Sequence, residues 1–258
     1  RNRNAFCAVR PPGHHAGYNG LLDNGQARSC GFCIFNSIAA GALHALEKHN
    51  CERVAIVDLD IHHGNGTEDI IRRYPNPSRL LFFSLHLYDK DLIPGYEFFP
   101  GSGSQDDSAH NIINVPILPM WHGPNKDSMG VSDNLRSSQT SSPDGSVKNA
   151  TSSSPLMGRE AYKQAIVQRL LPSLRAFNPT LILLSAGFDP ALGDVGNSKN
   201  SGNSEVGMDM RPEDFEWVTS EIMKIADICC SGRVVSVLEG GYGSYTTASR
   251  NAVRDSAT

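Results

Sequence analysis

Four segments of this 258-residue chain end apolar runs in residues able to do chemistry. The first is Val54-Ala-Ile-Val-Asp-Leu-Asp-Ile-His-His-Gly-Asn-Gly-Thr67. In an extended strand, residues i, i+2 and i+4 point to one side. Asp58, Asp60 and His62 are therefore predicted to share one face, and Val57, Leu59 and Ile61 the other. Two carboxylates beside an imidazole repel each other and are costly to bury unless a cation sits among them. An isolated Asp-x-His is as often a solvated turn. The apolar run ahead of this one argues instead for a buried parallel strand, and ligands of open parallel sheets gather beyond the carboxyl ends of strands.

The second segment, Leu181-Ile-Leu-Leu-Ser-Ala-Gly-Phe-Asp-Pro190, offers Asp189 after an apolar strand and a small-residue turn. An Asp-Pro pair in general only starts a turn. Together with Asp60 and His62, however, Asp189 completes one nitrogen and two oxygen donors, an open arrangement of the catalytic zinc type with room for water. In the third segment, Arg10-Pro-Pro-Gly-His-His-Ala16, a rigid turn holds His14 and His15 in place. Histidine suits both proton removal and proton return near neutral pH. In the fourth, Val234-Val-Ser-Val-Leu-Glu-Gly-Gly-Tyr-Gly243, a glycine turn presents Tyr242, whose hydroxyl could donate to a developing oxyanion. Each motif alone has a bland structural reading. Their conjunction on four strand ends does not.

The elements that must position these groups alternate along the chain. Strands are predicted at 5–9, 54–60, 80–85, 112–115, 181–185 and 234–238, and helices at about 34–48, 66–73, 159–177 and 212–229. In the last helix Phe215, Val218, Ile222, Ile225 and Cys229 form a buried stripe behind a Pro212-Glu-Asp start. The pattern predicts one α/β domain over 1–258: a three-layer α/β/α sandwich around a mostly parallel sheet. Residues 122–156, rich in Ser, Asn, Asp, Gly and Pro, read as a disordered surface insertion, and 192–209 as a shorter polar loop.

Bulk properties narrow the function. With 39% hydrophobic residues and a net charge of −4, the chain has the balance of an ordinary enzyme. It carries no basic patch for direct nucleic-acid binding and no apolar stretch of membrane-spanning length. The six cysteines read as reduced packing thiols of an intracellular protein rather than a zinc ribbon.

In this order, the motifs resemble the zinc-dependent histone deacetylases of the arginase/deacetylase fold. The matching segments are Arg10–Ala16, Gly31-Phe-Cys-Ile-Phe-Asn36, Asp58–Thr67, Phe98-Phe-Pro-Gly-Ser-Gly103, Ser185-Ala-Gly-Phe-Asp189 and Glu239-Gly-Gly-Tyr242. The resemblance implies that Asp60, His62 and Asp189 bind one Zn²⁺. It makes His15 the main general base and acid and His14 mostly electrostatic, with Asp58 orienting His14 and Asn65 facing His15. Tyr242 would bond the acetyl carbonyl oxygen, and Phe32 and Phe99, with Gly31 and Gly241, would wall a narrow tunnel for an acyl-lysine stem. A structural K⁺ near Asp58, Ser84 and Leu85 is also implied. Asn65 and the strand end at His86 look more like class II members.

The expected reaction removes acetyl groups from acetyl-lysine of histones or other proteins, by metal-activated water, in the nucleus or cytoplasm and in a possible corepressor complex. Family domains carry a segment ahead of the first strand seen here, so the chain reads as a partial domain lacking its N-terminal part. Two alternatives stay open: a deacetylase of acetylpolyamines or other small amides, and a catalytically impaired scaffold.

Overall fold

Strand β2 (Val54–Asp58) is buried along its whole length, and its period of two divides the core. Val54 and Ile56 join one apolar layer with Ile38, Ala42 and Leu46 of helix α1 (Ser37–Lys48) and Ile71 of helix α2 (Asn65–Arg72). Ala55 and Val57 join the other, with residues of α3 (Gly158–Ala165), α4 (Leu171–Phe177) and α5 (Pro212–Cys230). Helices thus cover both faces of the sheet, as the sequence predicts. Full burial of each large aliphatic side chain stabilises such a core by about 1.5–3 kcal/mol. This architecture is that of a computed structural model, which describes residues 3–22, 30–90, 97–123, 156–199 and 205–244. The insertion predicted at 122–156 lies, from 124 to 155, outside the described residues.

The other strands are β1 (Asn4–Cys7), β3 (Leu80–Leu87), β4 (Ile112–Ile117), β5 (Leu181–Ala186) and β6 (Val234–Leu238). Their order is β1-β6-β5-β2-β3-β4, and every neighbouring pair is parallel. Asp58 is level with Ser84 on one side and Ser185 on the other. The tips of β2, β5 and β6 are therefore brought to one end of the sheet, where ligands bind in such folds. No helix among the described residues is long and apolar enough to cross a membrane.

Strand β1 ends at Cys7 rather than Val9, β3 and β4 run on to Leu87 and Ile117, and three helical regions also differ from expectation. Helix α1 starts at Ser37 rather than 34, because the Asn36 side chain accepts a bond from Ala39 N at 3.0 Å and caps it. The helix expected at 159–177 is interrupted by a π-helical turn, Ile166–Leu170. Pro172 follows it, and a proline can neither donate to the helix nor tolerate the carbonyl four residues back. In α5 the buried stripe is Asp214, Val218, Ile222, Ala226 and Cys230. Its four-residue ridge puts Cys230, not Cys229, in the core.

Candidate active site

Strand β2 stops at Asp58, two residues short of the expected end. Asp58, Asp60 and His62 are therefore not one face of a strand. The chain bends instead, and the carboxylates hold the bend: Asp58 Oδ1 accepts from Asp60 N at 3.2 Å, and Asp60 Oδ1 from His62 N at 2.9 Å. Ile61 is fixed through both backbone groups, its N donating to Asp189 Oδ1 at 3.1 Å and its O accepting from Leu87 N at 2.9 Å. Leu59 and Ile61 still pack in the layer of Val57. The apolar side chains thus keep to one layer beyond the end of the ladder, and the three polar residues stay together for a different reason than extended geometry.

His62 Nδ1 lies 3.1 Å from Asp60 Oδ1 and 3.0 Å from Asp189 Oδ2. The three donor atoms lie within 4.8 Å of one another and could hold a metal ion. Burial pushes Asp189 up to about 7, with the Asp60 charge adding to it. Burial works against Asp60 as well, but His14 and the bonds from His62 hold it well below the usual carboxylate range. On His62, burial is outweighed by the two carboxylates, which raise it to about 9. The cluster thus draws positive charge to one point. Glycines clear the space around it: a Cβ on Gly187 would collide with the Asp60 carboxylate, and one on Gly240 with those of Asp60 and Asp189.

The tandem histidines lie beside this cluster, with ring centroids 4.0 Å apart. His14 Nδ1 bonds Asp58 Oδ2 at 2.8 Å, and His15 Nδ1 bonds Asn65 Oδ1 at 2.9 Å. Burial opposes charge on both rings, but they end in opposite states. Asp58, Asp60 and Glu239 lift His14 well above the ordinary histidine value. His15 is pushed well below it by burial, with the charges of His14 and His62 adding. Asp58 is itself raised by burial, to about 6, against the pull of His14. Their surroundings therefore favour the charged form of His14 and the neutral form of His15. Asp58 and Ser84 sit side by side ahead of Leu85, and Ser84 Oγ bonds His86 Nδ1 at 2.9 Å.

A cavity of about 410 Å³ opens over these groups, lined by His15, Gly31, Phe32, His62, Phe99, Val195, Gly196 and Tyr242. Phe99 meets His15 edge-on at 4.9 Å, and Phe32 stands 5.9 Å from the Tyr242 ring. Phe32 is 73% exposed and has φ +66, a left-handed conformation that costs a bulky residue of order 1–3 kcal/mol. Burial and the charges of Asp60 and Asp189 push the Tyr242 hydroxyl up, so it stays a neutral donor. Gly241, with φ +126, packs against Phe188 at the turn that presents it.

The family description "Histone deacetylase domain" matches residues 1–255. The chain belongs to the histone deacetylase family. It is 35% identical to type-2 histone deacetylase 2 of Dictyostelium discoideum, over 95% of the chain and 12% of that protein. Histone deacetylase 6 of Caenorhabditis elegans is 34% identical over 97% of the chain and 20% of its own length. Human polyamine deacetylase HDAC10 is 32% identical over 93% of the chain and 27% of its own. The crystal structure of the HDA15 HD domain superposes with a TM-score of 0.62 at 29% identity, covering 94% of this chain and 52% of that one. The chain thus spans a quarter or less of the length of the first two relatives. Its single parallel sheet flanked by helices is that of the deacetylase fold.

Glu239, Asn36 and residues 195–197 also build this site, although the sequence alone assigns them no role. Glu239 is fully buried; its Oε2 accepts from Gly13 N at 2.7 Å and His14 N at 3.1 Å, and its Oε1 from Ser185 Oγ at 3.1 Å. It ties the histidine turn to the tips of β5 and β6. Asn36 Nδ2 bonds Ala16 O and Thr67 Oγ1, each at 3.0 Å, joining that turn to α1 and α2. In the polar loop, Asn197 Nδ2 donates to Asp189 O at 2.6 Å, and Val195 and Gly196 line the cavity. The signal available was a Glu directly after an apolar strand, since a carboxylate is rarely placed there without donors to meet it.

Proposed function

We infer that this chain is the catalytic module of a zinc-dependent deacetylase acting on the N-ε-acetyl-lysine of histones or other proteins. The observation that carries the reading is the Asp60–His62–Asp189 cluster, which reaches through His62 a cavity also lined by His15 and Tyr242. Two carboxylates and one imidazole nitrogen whose donor atoms lie within 4.8 Å of one another suit zinc with positions left for water and substrate, and with the imidazole neutral their charge of −2 would balance a divalent ion. When bound, zinc supplies Lewis acidity to the acetyl carbonyl and makes water more acidic.

The protein's own residues supply the rest. Asn65 accepts the His15 Nδ1 proton, so the lone pair of the neutral ring lies on Nε2, ready to take a proton from the attacking water. His15 then returns that proton to the departing lysine amine. His14, cationic and held by Asp58, stabilises negative charge developing beside it. The Tyr242 hydroxyl donates to the carbonyl oxygen as it becomes an oxyanion. Phe32 and Phe99 enclose an apolar stem and exclude water, and Gly31 leaves room beside the His15 ring. The products are acetate and free lysine. A potassium ion beside Asp58, Ser84 and Leu85 would be structural, and membership of a corepressor complex in the nucleus or cytoplasm belongs to the same reading.

The likeness to HDAC10 proteins favours a second substrate, an acetylpolyamine. Acetate release from an acetyl-lysine peptide and from acetylspermidine, with and without zinc, separates the two. Zinc-dependent turnover of the peptide is expected. Preference for the polyamine moves the function to the second substrate, and no turnover by folded, zinc-loaded protein overturns the enzyme reading in favour of a scaffold.

A further inference from the structure

Asp194 takes no part in the chemistry described above, yet its carboxylate joins two walls of the site. It is buried at the start of a short 3₁₀ turn, Val195–Asn197, in the loop that follows Asp189. Its Oδ1 accepts from Gly196 N at 2.7 Å, and its Oδ2 accepts from Tyr242 N at 2.9 Å and Gly243 N at 2.8 Å. Val195 N donates back to Gly243 O at 2.8 Å. The same loop grips the backbone of Asp189 through Asn197. One segment therefore holds a cation-cluster residue on one side and the tyrosine turn on the other.

Tyr242 needs such a hold. It lies between Gly241 and Gly243, with φ +126 and +80, and glycines leave the backbone many paths. Its ring packs against Gly196, where a Cβ would come within 2.8 Å of Tyr242 Cδ2. Hydrogen bonds to a carboxylate are about twice as strong as neutral ones, and three of them converge here.

We propose that Asp194 is a positioning residue of the deacetylase reaction, clamping the Tyr242–Gly243 backbone so that the phenol hydroxyl meets the developing oxyanion. The proposal rests on the reading of Tyr242 as oxyanion donor. An Asn at 194 has one acceptor oxygen and turns an NH₂ toward N–H groups, so it cannot replace the clamp.

The test is a double-mutant cycle on the full chain with Asp194→Asn and Tyr242→Phe, following kcat, KM, zinc content and amide hydrogen exchange at Tyr242 and Gly243. Tyr242→Phe should lower kcat about 100-fold. Asp194→Asn should lower it about 10- to 100-fold, with KM and zinc content within about twofold and both amides exchanging at least about tenfold faster. In the Tyr242→Phe background it should cost almost nothing more. Equal losses in both backgrounds, or unchanged exchange, overturn the clamp while leaving Tyr242 in its role. Full activity of Tyr242→Phe overturns the tyrosine reading and the proposal with it. If Asp194→Asn does not fold, Asp194→Glu, which keeps the charge but moves it by one methylene, runs the same cycle against the same outcomes.

Discussion

Two buried histidine pairs lie near one another in this protein, and they are built for opposite ends. His14 and His15 stack at 4.0 Å, His63 and His86 at 4.5 Å. In the second pair every ring nitrogen is bonded. His63 Nδ1 meets Ser102 Oγ at 2.8 Å and its Nε2 meets Glu68 Oε2 at 3.0 Å, while His86 Nδ1 meets Ser84 Oγ and its Nε2 meets Gly103 O at 3.0 Å. Glu68 is further met by Arg72 and Asn114, and His63 first, with these two, holds it at about 2 against burial. That network is saturated, and it fastens the segment after Phe98 and Phe99 to α2 and β3. In the first pair the nearby carboxylates outnumber the cations, and the His15 ring lines the cavity. The same residue types make a brace where bonding is complete and a reactive centre where charge is left over.

Truncating one histidine of each pair would separate these roles most sharply. His15→Ala should reduce kcat about 10³-fold with little change in stability, since its ring acts in proton transfer. His63→Ala should do the reverse, lowering unfolding free energy by about 2–4 kcal/mol while kcat of the folded fraction stays within about tenfold. Steady-state kinetics and urea titration on both variants check this. Comparable kinetic losses would erase the distinction.

The pH dependence of stability offers a smaller effect. Burial, reinforced by the charge of His63, pushes His86 well below the ordinary value of 6.5. The unfolded chain therefore binds a proton there that the folded chain refuses. The contribution is present above pH 6.5 and is lost as pH falls, with a limiting slope of about 1.4 kcal/mol per pH unit. His86→Asn should flatten the acid limb between about pH 6.5 and 5 in urea titrations. An unchanged limb would mean that His86 is protonated in the fold.

The smallest contrast concerns the partners of the two Nδ1 atoms. Asn65→Ala should cost about tenfold in kcat by freeing the His15 ring. Ser102→Ala should leave kcat within about twofold and lower stability by about 1 kcal/mol. Equal effects on rate would place the His63 brace inside the catalytic machinery.

Much of this was legible in the chain itself. The continuous apolar run at Val54–Val57 and the three-to-four-residue apolar repeat of α5 are local patterns, set by backbone geometry, and they announce a buried strand and a core-facing helix without reference to the rest of the fold. So do the polar residues at the ends of β2, β5 and β6, since a carboxylate or tyrosine after an apolar run lands at the sheet's carboxyl edge whatever the neighbouring strands are. The donor set Asp60, His62 and Asp189 could be named on that basis. The reason they converge could not. The bend after Asp58 depends on Asp189, reached across 128 positions, and the histidine turn on Glu239, reached across 225 or more. Nor does any local pattern show that His63 pairs with His86 while His14 pairs with His15. Only the tertiary structure decides that, because a histidine's role depends on which partners saturate its two nitrogens, and those partners come from elements far apart in sequence.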